Sequence, residues 1–342
     1  MPTMRDVAKK AGVAPITVSR VINNSGYIRE ETRRKVEQAI AELEYVPNSL
    51  SQSLRFKKTN MIALMVSDIT NPFWTTLTRG VEDACMGGGM NVILCNTDEN
   101  AEKQENYINV LLQRQTDGFL LVPAGGEPAV VKRIQKRGVP VVVIDRQVPG
   151  VEVDIVRSDS EGGAYTLTRH LLERGHRRIA LLSFSISIST ARQRQAGYEK
   201  ALAEYGVAID PGLIRHGRPR GDSGYMMTME AMASMNPRPT AIFTANNFIA
   251  IGALNALHDL GIRVPEEISV VSFDEMPYAT EPFVTVAAQA PYELGMSAAQ
   301  MLMSIISGEE APGNRDIVLP VELIERRSVM TLPMVAQAAP EE

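Results

Sequence analysis

A small all-α head carrying a helix-turn-helix and a hinge helix, followed by a two-lobed α/β body, is the fold class this 342-residue chain predicts. Three observations carry that reading. The N-terminal stretch has the caps and apolar stripe of two short helices joined by a tight turn. From Met61 onward, short β-branched runs alternate with amphipathic helical stretches. Charge is divided between the two parts: residues 1–60 hold 11 Lys or Arg against 6 Asp or Glu, and the rest of the chain carries a net −10 within an overall −5. A basic head on an acidic body is the footprint of a nucleic-acid contact confined to one end. The length suits two or three domains.

In the head, Thr3 caps a first helix and Asp6 completes a capping-box spacing, its negative charge suiting the helix N-terminus. Val7, Ala8 and Ala11 form the inward stripe, and Gly12 gives the backbone freedom for a tight exit. Pro15 opens a second helix, where its missing N–H costs nothing, and this helix runs to about Asn23. Val18, Val21 and Ile22 face a small core. Ile16, Thr17, Ser19, Arg20 and Asn23 remain for a partner, and such a surface fits the major groove. Pro47 stops the next segment and Asn48 caps a short helix over Asn48–Phe56, with Leu50, Leu54 and Phe56 apolar and Arg55, Lys57 and Lys58 basic. A helix this short is marginal in water, so it is expected to order when two copies pair on DNA.

In the body, strands are expected at Met61–Val66, Asn91–Cys95, Gly118–Val122, Pro140–Ile144, Arg178–Ser183, Ala241–Thr244 and Ser269–Phe273, with helical periodicity over Glu102–Gln115 and Glu161–Arg174. Strands apolar on both faces and separated by helices indicate parallel βαβ units. One sheet would be crowded with so many strands, so two lobes are expected, with the break near Arg157–Gly163. Ligands of open α/β sheets bind beyond the carboxyl ends of strands. Asn71 and Phe73 follow the first strand, Asp145 and Arg146 end another, and Asn246, Asp274 and Gln289 follow three more. Amides and carboxylates for hydroxyl groups, with an aromatic face for C–H surface, are what a sugar-type ligand requires. Asp145 and Arg146 fit an interlobe salt bridge equally well, and Trp74 fits packing as well as pocket.

The stretch from Thr3 to Asn23, followed by Tyr45-Val46-Pro47-Asn48-Ser49-Leu50 and Leu54-Arg55, resembles the lactose-repressor family of bacterial transcription regulators. The later motifs appear in order: Asp68-Ile69-Thr70-Asn71-Pro72-Phe73, Asp117-Gly118, Ile144-Asp145-Arg146, Gly175-His176-Arg177-Arg178-Ile179-Ala180, Arg194-Gln195-Ala196-Gly197-Tyr198, Phe273-Asp274 and Ile324-Glu325-Arg326-Arg327-Ser328. The resemblance implies a type I periplasmic-binding-protein body with three crossovers between lobes, and it matches Arg194 to an effector-reading arginine. It assigns Leu54 to a wedge that opens the minor groove and kinks the operator. The DNA-facing set becomes Pro15, Ile16, Thr17, Ser19, Arg20, Asn23, Tyr45, Leu54 and Arg55. Implied domains are 1–47 for the DNA-binding head, 48–60 for hinge and linker, 61–330 for effector binding and dimerisation, and 331–342 for a short tail.

Some residues depart from the family pattern. Ala14 lacks the hydroxyl that often precedes the recognition helix. Pro15 and Ile16 occupy the two variable base-reading positions and offer only shape and apolar contact, which leaves operator choice resting on Arg20. Asn246-Asn247 stands where Asn-Asp is usual. Arg146, Arg192, Arg194, Arg215, Arg218 and Arg220 bring guanidiniums toward the cleft, which admits a sugar acid or sugar phosphate besides a neutral sugar, because Arg reads carboxylate and phosphate bidentately. Arg215, Arg218 and Arg220 also read as a solvated loop.

Other classes are disfavoured. Met65–Asn71 has no glycine, as a dinucleotide turn would need, and Gly87-Gly88-Gly89 precedes a strand and reads as a helix end. Ser183, Ser185, Ser187 and Ser189 form a polar segment, and His170, His176, His216 and His258 have no catalytic context. Cys85 and Cys95 lack zinc-ligand spacing and read as small buried hydrophobes. A free solute-binding protein would need an export signal and have no use for the head, and no signal-like or membrane-spanning run is found. The expectation is a cytoplasmic homodimeric regulator, most often a repressor, on a pseudopalindromic operator. It uses no cofactor or metal, and the lack of a leucine heptad after Thr331 favours a dimer.

Overall fold

The computed structural model describes residues 2–46, 58–125, 128–276 and 282–333. The chain divides into two compact units, Met1–Thr59 and Asn60–Glu342. In the first, α1 spans Met4–Ala11, α2 Pro15–Ile22 and α3 Glu30–Glu42. Thr3 and Asp6 form the capping box, and Gly12 closes α1 at φ 67°, a left-handed conformation that glycine adopts without a Cβ penalty. Pro15 opens α2, and Ala14 before it makes no side-chain cap bond. Val7, Val18, Val21, Val36 and Ala39 close the core. Tyr45, expected on DNA, packs its ring into this core and is 8% exposed. The cause is a tight turn after α3, in which the Tyr45 N–H donates to the Ile40 carbonyl and folds the ring back onto the helices.

The second unit has two sheets. The N-terminal lobe contains β1 (Met61–Val66), α4 (Pro72–Gly87), β2 (Asn91–Asn96), α5 (Ala101–Gln113), β3 (Gly118–Leu121), α6 (Ala129–Lys136), β4 (Val141–Ile144) and β5 (Asp154–Ser158). The chain then crosses to α7 (Ser160–Glu173), β6 (Ile179–Phe184), α8 (Ser189–Glu204), β7 (Ile214–Gly217), α9 (Gly221–Ser234), β8 (Ala241–Thr244), α10 (Asn247–Asp259), β9 (Ser269–Phe273) and β10 (Thr285–Ala288). It returns through α11 (Pro291–Ser307) and β11 (Asp316–Leu319), and crosses again to β12 (Glu322–Ile324). Those are the three crossovers. The sheet orders are β11-β5-β4-β3-β1-β2 and β12-β10-β9-β8-β6-β7, all parallel except β12 on β10.

Both faces of each sheet are covered by helices, which is why the central strands are apolar throughout. Leu64, Leu120 and Val142 point to α4 and α11, whereas Met65, Leu121 and Val143 point to α5 and α6. Two glycines let α4 and α11 approach closely: a Cβ on Gly80 would run into the Tyr292 carbonyl, and one on Gly295 into that of Leu77. His176 is fully buried, linked to Thr240, Ser269 and the Met330 carbonyl, so it ties loops together. Cys85 and Cys95 are buried, and burial pushes the Cys85 thiol up to about 11. No described helix is long and apolar enough to cross a membrane.

Candidate functional site

Strand ends build the site, and the two lobes build it in matching ways. β4 and β9 hold equivalent places in their sheets, and each is followed by an aspartate with a left-handed backbone, Asp145 at φ 68° and Asp274 at φ 71°. Asp145 N–H donates to Val156 O and Asp274 N–H to Ala287 O, so each sheet extends one residue before the chain turns. Non-glycine residues rarely hold this conformation, and where they do the surroundings over-determine it.

Between the lobes lies a cavity of about 450 Å3. All eight residues expected at the ligand site line it: Asn71, Phe73, Asp145, Arg146, Arg194, Asn246, Asp274 and Gln289. Phe73 and Trp74 form its aromatic wall, edge to face with centroids 4.8 Å apart. Trp74 serves both readings, since it also belongs to the N-terminal core.

Arg146 is not an interlobe bridge. Its partners lie in its own lobe: Nη1 donates to Glu99 Oε2 at 2.6 Å and Pro123 O at 2.7 Å, and Nη2 to Glu99 Oε1 at 2.5 Å and Ser67 Oγ at 3.2 Å. Its Nε lies 3.6 Å from Asp145 Oδ2. Burial pushes the Glu99 carboxyl up, but the charge and hydrogen bonds of Arg146 outweigh this and hold it below the ordinary glutamate range. For Asp145 the pull of Arg146 and Arg194 does not outweigh burial, which raises it to about 6, with Asp274 adding repulsion.

In the C-terminal lobe, Arg194 lies over the Phe273 ring at 3.7 Å from its centroid, and its Nη1 donates to Ala245 O at 2.6 Å. Asp274 Oδ2 is 3.8 Å from that nitrogen, and Asp274 Oδ1 accepts from Gln289 Nε2 at 2.5 Å. Burial lowers the guanidinium of Arg194 and raises the carboxyl of Asp274. Arg146 Nε, Arg194 Nε and Gln289 Oε1 are buried and have no hydrogen-bond partner among the described residues. Asn246 caps α10 by accepting from Ile249 N–H at 2.8 Å.

Neutral groups join the lobes at the cleft. Asn71 and Asn247 exchange amide hydrogen bonds of 3.0 and 3.1 Å. Ser189 Oγ accepts from Gln147 N–H at 2.9 Å, and Gln193 donates to the Gln147 side chain at 3.0 Å. Of the six arginines expected near the cleft, Arg146, Arg194, Arg218 and Arg220 line it, the last two exposed at its rim. Arg192 instead donates to Ile186 O and Ser187 O, and Arg215 sits within β7. Glu99, Ser67 and Phe184 escaped the sequence reading although each follows or ends a strand, the signal that would have found them. Among the described residues no group of three or more His, Cys, Asp or Glu could hold a metal.

On the head, Pro15, Arg20 and Ile16 are exposed, Ile16 by 56%, while Thr17, Ser19 and Asn23 are half-buried. Asn23 Nδ2 donates to the Ser19 carbonyl at 2.7 Å and so closes the last turn of α2. The expected hinge helix, with Leu54 and Arg55, lies outside the described residues.

Known proteins resemble this chain over nearly its whole length. Residues 3–48 match the family described as "Bacterial regulatory proteins, lacI family", and residues 59–327 match "Periplasmic binding proteins and sugar binding domain of LacI family". The HTH-type transcriptional repressor PurR of Erwinia tasmaniensis is 35% identical over 97% of this chain and 98% of its own length. That of Photobacterium profundum is 33% identical over 97% and 100%. Among solved structures, the lac repressor dimer bound to operator and the anti-inducer ONPF is similar with a TM-score of 0.84 at 28% identity, covering 96% of this chain and 99% of that one. The complex of the transcriptional regulator CelR with cellobiose has a TM-score of 0.73 at 32% identity over 96% and 100%. A LacI-family regulator from Enterococcus faecium with bound ribose has a TM-score of 0.72 at 30% identity over 80% and 100%.

Proposed function

We propose, from the premise that this chain belongs to the lacI family of bacterial transcription regulators, that it represses transcription as a homodimer on a pseudopalindromic operator under the control of a neutral sugar. The chain is a DNA-binding regulator, not an enzyme, and its work on DNA puts it in the cytoplasm. Domain roles follow: 1–47 reads DNA, 48–60 is hinge and linker, 61–330 holds effector and partner protomer, and 331–342 is a tail. Pro15, Ile16, Thr17, Ser19, Arg20 and Asn23 form the reading face, with Arg20 as the base-specific donor.

One observation carries the choice of a neutral sugar. The two deeply buried guanidiniums of the cleft, Arg146 and Arg194, already stand against three carboxylates, Glu99, Asp145 and Asp274. A buried floor with that balance gives no excess positive charge for an acid. Hydroxyl groups, which donate and accept at once, match a lining that alternates carboxylate, amide and guanidinium, and the ring's C–H face matches Phe73 and Trp74. Regulators of this shape hold cellobiose and ribose in the structures cited above. An anionic sugar derivative is the second reading, favoured only by Arg218 and Arg220 at the rim.

The test is a thermal-shift series of neutral mono- and disaccharides, sugar acids and sugar phosphates, each hit then added to a gel shift with operator DNA selected from a random pool. A neutral sugar should raise the melting temperature and change the retarded fraction. Hits confined to acids or phosphates would replace the first reading by the second. On the DNA side, Arg20→Ala should weaken operator binding by about 1–3 kcal/mol and relax preference at one symmetric position per half-site. Equal weakening on all sequences would reduce Arg20 to a phosphate contact.

A further inference from the structure

We propose that Glu99 is a positioning residue that sets which class of ligand the cleft accepts: by occupying the fork of Arg146 it denies a ligand anion its binding partner in the N-terminal lobe. The inference rests on the assignment of the cavity as the ligand site and deepens it.

A guanidinium reads a carboxylate or phosphate through pairs of parallel N–H groups. Four of the five N–H bonds of Arg146 are spent, so no parallel pair is left for that use. Both nitrogens of its fork are committed to Glu99, and their remaining hydrogens go to Pro123 O and Ser67 Oγ. The fifth, on Nε, is buried and turned toward Asp145. An entering anion would have to displace Glu99 and settle beside Asp145, whose carboxylate repels it in a medium that screens poorly. A hydroxyl meets no such charge.

The loop that carries Glu99 holds it in place. Asp98 and Glu99 both have left-handed backbones, φ 53° and 57°, a pairing that L residues keep only where the surroundings enforce it. On one side, Asp98 accepts from Lys103 Nζ at 2.6 Å and Asn96 Nδ2 at 2.7 Å. On the other, Asn100 caps α5 by accepting from Lys103 N–H at 2.9 Å. Glu99 is thus presented to Arg146 by a fastened turn rather than by a mobile side chain.

Inorganic sulfate is the probe, titrated by calorimetry into the wild type, Glu99→Gln and the double variant Glu99→Gln/Arg146→Gln. Glu99→Gln keeps the shape of the side chain and removes its charge, and it should bind sulfate on the order of tenfold or more tighter than the wild type. The double variant should lose that gain, which locates the anion at Arg146. A folded Glu99→Gln with wild-type sulfate affinity, or a gain that survives in the double variant, overturns the proposal. Should Glu99→Gln lose cooperative unfolding, Glu99→Asp is read instead. Its shorter carboxylate keeps the charge but releases part of the fork, and no gain in sulfate binding there is equally fatal. A parallel arm compares ribose with ribose 5-phosphate, where Glu99→Gln should narrow the preference for the neutral sugar. If no neutral sugar binds the wild type, the reading of the cleft as a neutral-sugar site fails, and the sulfate comparison still decides the part played by Glu99.

Discussion

The two buried arginines of the cleft come from opposite lobes and are held in opposite ways. Arg146 is gripped by a carboxylate fork, a carbonyl and a hydroxyl, and although burial disfavours its charge, Glu99 more than restores it and raises the guanidinium above its ordinary value. Arg194 lies over the Phe273 ring, donates to a single carbonyl and meets Asp274 only at 3.8 Å, so burial prevails and lowers it. A cation taken out of water must be compensated by geometry or by partners. The N-terminal lobe has completed that compensation internally. The C-terminal lobe leaves more of it open, and under the proposed function Arg194 is the residue through which an effector would favour one lobe arrangement over another.

The largest expected effect tests that contrast directly. Arg146→Ala would strand Glu99 and Asp145 in the floor and should cost about 3–5 kcal/mol in urea unfolding, the usual result of breaking a buried pair. Arg194→Ala should cost less, about 1–3 kcal/mol, chiefly for the carbonyl left without a donor. It should also abolish the effector response while effector-free operator affinity stays near wild type. A reversed order of stability, or loss of operator binding without effector, would make Arg194 the structural member and Arg146 the ligand-reading one.

Next in size is the titration of the two strand-end aspartates. Both are raised in the folded protein, Asp145 to about 6. Their protonated forms are therefore favoured by folding. The stability they contribute is fully present below the ordinary aspartate value near pH 4 and is lost as pH climbs through their raised values, about 6 for Asp145. Asp145→Asn should flatten that decline and be more stable than wild type at neutral pH by about 1–3 kcal/mol, measured as unfolding free energy against pH. A less stable Asn variant at neutral pH would mean that the ionised Asp145 is held by Arg146 more firmly than burial opposes it. Sugar affinity should fall on acidification in the same range, because a protonated Asp145 accepts hydroxyl hydrogens less well.

The smallest expected effect concerns the seam between the lobes. A double-mutant cycle of Asn71→Ala and Asn247→Ala should return a coupling of about 0.5–2 kcal/mol, since each amide serves the other. Zero coupling would mean that the pair does not hold the lobes together in solution. Asn247→Asp should weaken the seam too, because a carboxylate accepts from Asn71 but cannot donate to it or to the Glu275 carbonyl, the other partner of Asn247.

Legibility in the sequence followed physical category. Strands covered on both faces, such as Gly118–Leu121 and Val141–Ile144, stand out as continuous apolar runs. Asp154–Ser158, Ile214–Gly217, Asp316–Leu319 and Glu322–Ile324 did not stand out. The last three lie at or near sheet edges, are partly exposed and carry charged or polar residues, and Asp154 is a buried acid neutralised by Arg315 from 161 residues away. The cleft residues were legible because strand ends and ordered motifs mark them. The burial of the Tyr45 ring was not legible, because the turn after α3 that packs it onto the helices is seen only in the fold.

What this sequence determined by itself is local or periodic: the capping box of Thr3 and Asp6, the left-handed turn at Gly12, the helix start at Pro15, the alternation of buried strands with helices, and the polar residues waiting at strand ends. Each is settled by interactions within a few positions along the chain, where propensity and spacing suffice. Which of those polar residues neutralise one another was decided only by the tertiary structure. Glu99 reaches Arg146 across 47 positions and Asn71 reaches Asn247 across 176, because parallel crossovers bring distant strand ends to one edge. Hydrogen bonding and charge compensation at that edge depend on distances of a few ångströms, and no pattern along a chain encodes them.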